Sequence, residues 1–119
     1  MSIRTFRDLI VWQKAMEVVK EIYKLSANLP GEEKYVLTPQ LRRAAISIPS
    51  NIAEGYGRNS TKDYKRFLQI SMGSVYELQT QVEIAFSLGY LECTEEYPGL
   101  QNKLAELVKM LYTLTRKIN

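Results

Sequence analysis

Apolar residues recur every three to four positions along four long segments, and this spacing is the feature that most constrains the fold. The segments span about 6–28, 39–57, 60–88 and a stretch that starts near Thr94 or Pro98 and runs to 118. No segment alternates apolar and polar residues for long, so no sheet is expected. Four helices with short links predict an all-α fold, an antiparallel up-down-up-down four-helix bundle, with 1–119 as a single domain.

The first predicted helix, about Phe6 to Asn28, carries more apolar surface than one core contact needs. Thr5 and Asp8 form a weak capping box at its start. Its two stripes are Trp12, Met16, Val19, Tyr23 and Val11, Ala15, Val18, Ile22, Leu25. Ile70 and Ile84 add apolar surface to the third helix, where Gly73 permits close backbone approach. Surplus apolar surface favours self-association. The alternative is a monomer with a deeply buried first helix.

The second predicted helix contains a proline, Pro49, near its middle. Thr38 and Pro39 suit the N-cap and first helical position, and Gly55 or Gly57 suits the end. The apolar phase continues through the proline in Leu41, Ala45, Ile48, Ile52 and Tyr56. We therefore predict one kinked helix from about Pro39 to Gly57.

The third predicted helix has the clearest start signal. Ser60 is the expected cap, with Asp63 in the first turn. The helix is expected to continue to about Leu88 and end at Gly89.

The absence of histidine excludes several kinds of catalytic and metal site. Neither an HExxH motif, nor a Ser-His-Asp arrangement, nor a Glu-x-x-His di-metal bundle site exists without it. Cys93, the one cysteine, has no basic neighbour in sequence and is predicted to be an unreactive thiol in a reducing cytosol. With no signal core and no stretch near the ~20 apolar residues of a membrane span, we expect a cytoplasmic protein without a membrane partner. We expect no enzyme activity, cofactor or metal.

Polar residues line one edge of the second and third helices. They are Arg43, Ser47, Asn51 and Glu54 on the second helix, and Arg66 and Glu77 on the third. We predict a structural network of ion pairs and hydrogen bonds, at a subunit contact or in water. The alternative is that Glu54 and Glu77 act as an acid/base pair or bind a small ligand.

Basic residues gather near the link between the second and third helices. The net charge is +3 and the pI about 9.0. The residues are Arg42, Arg43, Arg58, Lys62, Lys65 and Arg66, with Tyr56 and Tyr64 among them. They predict phosphate contact and base stacking at a nucleic-acid or nucleoprotein surface. The alternative is a solvated helical face, partly neutralised by Asp63 and Glu54.

Several stretches together resemble a known family: "LIVWQKAMEVVKEIY", "QLRRAAISIPSNIAEGYGR", "YKRFLQISMGSVYELQTQ" and "IAFSLGYL". They are similar to the bacterial four-helix-bundle proteins encoded by intervening sequences within 23S ribosomal RNA genes, also labelled S23 ribosomal proteins. The resemblance implies an antiparallel bundle that assembles as a homopentamer with a central channel. That family is similar to the accessory variability protein of diversity-generating retroelements, a basic pentameric barrel that works with a reverse transcriptase and nucleic acid. The resemblance implies no catalytic residues.

The expected function is therefore that of a non-enzymatic homo-oligomer that binds RNA, DNA or a nucleoprotein partner, such as a reverse transcriptase, through its basic surface. The alternatives are a purely structural assembly module and a small-ligand binder using Glu54 and Glu77.

Overall fold

Four α-helices make up most of the computed structural model, which describes residues 2–91 and 96–118. They are α1 (Ile10–Ser26), α2 (Leu37–Tyr56), α3 (Thr61–Ser87) and α4 (Glu96–Lys117), with short 3-10 helices at Phe6–Asp8 and Gly31–Glu33. The described residues contain no strand, which confirms the all-helical prediction. The molecule measures 44 × 27 × 20 Å.

The predicted start of the first helix at Phe6 is wrong. Thr5 and Asp8 do form a capping box, but it caps only the 3-10 helix. Leu9 then takes an extended backbone conformation, with ψ at 123°, and α1 begins at Ile10. The helix ends at Ser26, because the next turn tightens to the three-residue bonds Asn28 N–H to the Leu25 carbonyl and Leu29 N–H to the Ser26 carbonyl.

Helix α2 runs unbroken through Pro49, as the apolar phase predicted. Its start differs from the prediction, since it begins at Leu37 and Thr38 is not its cap. The Glu33 carboxylate accepts the Leu37 N–H at 3.4 Å, so the acceptor comes from the preceding turn. Gly57 is the C-cap, one of the two glycines predicted to end this helix.

Helix α3 begins as predicted, with the Ser60 hydroxyl accepting the Asp63 N–H at 3.0 Å. It ends at Ser87, and Gly89 follows with a φ of 81°, the left-handed conformation that glycine adopts without penalty. Helix α4 begins at Glu96. Thr94, one of its two expected starts, and Cys93 lie outside the described residues.

One stripe of each helix forms the core. In α1 it is the stripe of Val11, Ala15, Val18 and Ile22, while Trp12, Met16 and Val19 of the second stripe are only partly buried. Helix α2 packs against α1 and α3, and α4 against α1 and α3. Lys14 pairs with Glu106 at 2.9 Å and Lys103 pairs with Glu21, which ties the outer surfaces of α1 and α4 together.

No helix among the residues described has the length and apolar character needed to cross a lipid bilayer.

Candidate nucleic-acid interface at the α2–α3 corner

Helices α2 and α3 approach each other closely at Gly55. A Cβ atom at this position would lie 2.7 Å from the Phe67 Cβ and 3.2 Å from the Tyr64 Cδ1. Real Cβ contacts are never that short, so only glycine fits here. The close approach brings the end of α2 and the first two turns of α3 together. We call this region the α2–α3 corner; its charged residues are Glu54, Arg58, Lys62, Asp63, Lys65 and Arg66.

Two arginines of the corner share one aromatic ring. The guanidinium carbons of Arg58 and Arg66 each lie 4.7 Å from the centroid of Phe67. Phe67 itself is 6% exposed, so its position is fixed by packing. A cation close to an aromatic face is attracted by the ring quadrupole, which restricts where each guanidinium lies.

Each of these arginines also has a carboxylate neighbour on the protein surface. Arg58 Nη2 lies 3.5 Å from Glu54 Oε2, and Arg66 Nε lies 4.0 Å from Asp63 Oδ1. All four side chains are between 45% and 59% exposed. Exposed pairs of this kind contribute about 0–1 kcal/mol, so the arginines remain available to a stronger anion.

Lys62 and Lys65 complete the positive side of the corner. Lys62 is exposed and Lys65 half-buried. Within residues 2–91 and 96–118, neither ammonium group has a carboxylate within 4 Å. The corner therefore holds two cations without a carboxylate partner beside two that are weakly paired.

The two tyrosines at the corner pack against each other. Tyr56 and Tyr64 meet edge to face, with ring centroids 6.1 Å apart. Burial of the Tyr64 ring, with a smaller effect of neighbouring Tyr56, raises the pKa of the Tyr64 hydroxyl. Tyr64 also contacts Gly55, so the two rings support the helix crossing. The corner therefore presents cations that can contact phosphates, but little free aromatic surface on which bases could stack.

Arg42 and Arg43 do not lie at this corner. Arg42 is fourteen residues before Tyr56 in the same helix, a rise of about 20 Å. Its Nε donates to Ser26 Oγ at 2.8 Å, and its guanidinium carbon lies 4.5 Å from the Tyr23 ring centroid. The predicted cluster of six basic residues is therefore wrong as a single surface, because the length of α2 separates these two from the other four.

Arg43 is exposed and donates from its guanidinium to the Gln40 side-chain oxygen one turn earlier. It thus lies with Arg42 near the start of α2.

The predicted polar network is present in part, as hydrogen bonds. Asn51 Nδ2 donates to the Ser47 carbonyl at 2.8 Å and to its hydroxyl at 2.9 Å. The Ser47 hydroxyl is in turn 2.8 Å from that of Ser74, which joins α2 to α3. Ser74 lies four residues after Ile70 and was not identified from the sequence.

The predicted network also included ion pairs, and among the described residues the pairs made by Glu54 and Arg66 are local in sequence. Glu54 pairs with Arg58 and Arg66 with Asp63, four and three residues apart in sequence. Local partners are favoured because they lie within one turn of the same segment, whereas an interhelical pair must order two long side chains across the interface. Glu77 is exposed on α3.

Glu54 and Glu77 are not placed as an acid/base pair. Ser47 of α2 contacts Ser74 of α3. Glu54 lies seven residues beyond that contact toward one end of the helix pair, and Glu77 lies three residues beyond it toward the other end. These positions are separated by about 15 Å along the helices. Both side chains are exposed, whereas acid/base carboxylates sit in clefts that exclude water.

A buried serine near Pro49 was missed as a polar group. Ser71 is 0% exposed, and its hydroxyl donates to the Ile48 carbonyl across the interface at 2.9 Å. On the outer face, the Ser50 hydroxyl donates to the Ile46 carbonyl at 2.8 Å. Ser71 falls within the apolar stripe of α3, and a polar residue in such a stripe was the signal for an interhelical bond.

Several apolar surfaces of the described residues remain outside the core, and two of them lie between α1 and α2 and on α3. The first is a groove of about 320 Å³ between α1 and α2, lined by Trp12, Met16, Val19, Ile46, Pro49, Ser50 and Ala53. The second, which we call the α3 row, consists of Ile70 and Ile84, which are 42% and 45% exposed and lie seven residues before and after the exposed Glu77. Gly73 lies between them, and a Cβ there would meet nothing within 4 Å.

Comparisons with known proteins agree with the fold. The sequence model of the 23S rRNA-intervening sequence protein family matches residues 7–113. A crystal structure of a protein with unknown function from the S23 ribosomal protein family of Bacteroides thetaiotaomicron superposes with a TM-score of 0.83 at 27% identity. The match covers 91% of this chain and 100% of that one. No curated protein matches the chain.

Proposed function

This chain belongs to the 23S rRNA-intervening sequence protein family, and we propose that it is a non-catalytic homo-oligomer that binds the phosphate backbone of RNA or DNA through its α2–α3 corner. One observation carries the proposal: Arg58, Lys62, Lys65 and Arg66 come together at the corner, with only Glu54 and Asp63 opposing them.

The charge arrangement suits a polyanion better than a small ligand. The four cations lie just after the end of α2 and in the first two turns of α3, so neighbouring phosphates of one strand can contact several of them. Cations that neutralise phosphates release bound counterions, which supplies affinity without base recognition. The excess of 16 basic over 13 acidic residues favours the same partner at longer range.

We propose that five copies form a closed ring of antiparallel up-down-up-down bundles. The pairing of Ser47 with Ser74 and of Gly55 with Phe67 supports opposite directions for α2 and α3. The α1–α2 groove and the α3 row lie on different helices, and a ring requires two different surfaces on each copy. A ring repeats the corner on every subunit, so a weak site gains strength through multivalency.

The test is fluorescence anisotropy with labelled single- and double-stranded probes at about 50 mM salt, where phosphate contacts are strong. The variant Arg58→Ala/Lys62→Ala/Lys65→Ala is expected to bind at least about tenfold more weakly, since it loses three phosphate contacts. The matched control is Lys109→Ala/Arg116→Ala/Lys117→Ala, which removes the same charge from exposed positions on α4. It is expected to bind nearly as the wild type does.

Two results would contradict the proposal. One is the absence of binding by the wild type at low salt. The other is equal binding by both triple variants with their assembly mass intact, which would leave a structural assembly module as the better account.

A further inference from the structure

The arginines of the corner differ from its lysines because Phe67 holds them in place. We infer that Arg58 and Arg66 form a preorganised guanidinium pair that binds backbone phosphate oxygens of a nucleic acid. Glu54 and Asp63 are the partners of these arginines when no nucleic acid is bound. This inference rests on the proposed function and specifies how its site works.

Phe67 can serve two arginines because of where the helices cross. Gly55 allows α2 to approach until its backbone touches Phe67, and this brings Arg58, three residues later, to the same ring that Arg66 contacts from α3. A planar guanidinium that already rests on an aromatic ring loses little freedom when it binds. A lysine ammonium is a flexible point charge and gains no such benefit.

The two carboxylates act as exchangeable substitutes for phosphate. Their contacts of 3.5 and 4.0 Å are longer than the ~2.7–2.9 Å of a strong charge-assisted hydrogen bond. A phosphate oxygen at that shorter distance replaces the carboxylate, which rotates into solvent. Each guanidinium stays on Phe67 during the exchange, so the site is formed before the ligand arrives.

The neighbouring lysines distinguish a nucleic-acid strand from free phosphate. Lys62 and Lys65 precede Arg66 in α3 by four residues and one residue, which extends the positive surface beyond what one phosphate ion contacts. A strand presents successive phosphates to all four side chains, whereas inorganic phosphate meets one or two. The site should therefore prefer an oligonucleotide to an equal concentration of phosphate groups in free form.

The first test exchanges the kind of cation without changing the charge. Arg58→Lys/Arg66→Lys is expected to raise the Kd for a labelled oligonucleotide about five- to tenfold, because the planar fork and its ring contact are lost. The matched control, Lys62→Arg/Lys65→Arg, is expected to keep the Kd within about twofold of wild type, since it preserves both charge and the Phe67 contacts. The single variant Arg66→Lys gives the same direction if the double variant does not fold.

The second test removes the competing carboxylates. Glu54→Gln and Asp63→Asn are each expected to lower the Kd about two- to fivefold, since a neutral amide competes less well for the guanidinium. Inorganic phosphate is added as a competitor at a phosphate concentration equal to that of the oligonucleotide. It is expected to leave the complex intact.

The inference is overturned if the Arg-to-Lys variant binds as wild type does, or if neither carboxylate variant binds more tightly. Complete displacement of the oligonucleotide by inorganic phosphate would also overturn the inference, because it would show that the arginine pair is a site for a free anion. All of these results are distinct from failure of the proposed function, which requires that wild type does not bind or that the corner alanine variant binds normally.

Discussion

The Cβ of Phe67 lies 2.7 Å from the point that a Cβ at Gly55 would occupy. This closeness fixes the crossing of α2 and α3, and it lets Arg58 reach the ring that Arg66 also contacts. The fold and the candidate site thus share one structural requirement, the missing side chain at position 55.

Replacing Gly55 with alanine should destabilise the protein. The methyl group overlaps the side chain of Phe67, whose Cβ cannot rotate away, so the helices must separate; overpacking of this kind costs about 1–3 kcal/mol. Denaturant unfolding measures the change. Gly99→Ala is the control, because it lies in α4 with nothing within 4 Å and should gain up to about 1 kcal/mol from helix propensity. Equal stability of the Gly55 variant and wild type would show that the crossing relaxes freely.

The hydroxyl of Ser71 should contribute measurably to stability. It is fully buried and donates across the helix interface to the Ile48 carbonyl, next to Pro49. Ser71→Ala is expected to lower the free energy of unfolding by about 1 kcal/mol. Thr115→Ala removes a hydrogen bond to the Leu111 carbonyl of the same helix, on a partly exposed face. It should therefore lower the free energy of unfolding by less. A larger loss of unfolding free energy in Thr115→Ala than in Ser71→Ala would contradict the role given to the interhelical bond.

Sequence patterns predicted those features that depend on neighbours along the chain. The Ser60–Asp63 cap, the end of α2 at Gly57 and the passage of α2 through Pro49 all follow from local chemistry and helical phase. The start of α1 was missed because the Thr5–Asp8 box satisfies only a short 3-10 helix before the chain extends. Capping residues mark a turn, but they do not fix the length of the helix that follows.

Features that depend on distance in space were harder to predict. Residues 42–43 and 58–66 are near in sequence, yet most of the length of α2 separates them in space. The ion pairs of Glu54 and Arg66 formed within their own turns, because nearby partners need less ordering than partners across the interface. Gly55 was predicted only as a helix end, since its contact with Phe67 depends on how α2 meets α3.

Stability at alkaline pH should depend on Tyr90. Its hydroxyl donates to Glu33 Oε2 at 2.8 Å, and this bond, together with desolvation and the charges of Glu33 and Glu32, raises the Tyr90 pKa above its ordinary 10.0. A raised pKa means that the contribution is complete below pH 10 and is lost as pH rises through the folded-state value. Tyr90→Phe should therefore lower the Tm at pH 8, and the difference from wild type should shrink above pH 10.

Tyr35→Phe provides the control for this measurement, because Tyr35 is 84% exposed. It should match the wild-type Tm at both pH values. A constant difference between Tyr90→Phe and wild type from pH 8 to pH 11 would show that the bond to Glu33 does not control the titration.

The two exposed isoleucines of the α3 row should be needed for self-association. Light scattering at micromolar concentration is expected to give about five times the 13.7 kDa chain mass, the value for a ring of five. Ile70→Glu should reduce that mass while helicity persists, because Ile70 is 42% exposed and contributes little to the core. Ile10→Glu changes a residue that is 57% exposed at the start of α1 and should leave the mass unchanged. A monomer mass for wild type, or an intact assembly for Ile70→Glu, would contradict the prediction.

The most direct test of phosphate binding at the α2–α3 corner is a salt titration of oligonucleotide affinity. Four cations that each neutralise one phosphate predict a slope of about −3 for the logarithm of the binding constant against that of the salt concentration. The affinity of wild type should then fall roughly 60-fold between about 50 and 200 mM salt. The Arg58→Ala/Lys62→Ala/Lys65→Ala variant should show a slope near −1, since only Arg66 remains. A slope that is the same for both proteins, or close to zero for wild type, would contradict phosphate binding at this corner.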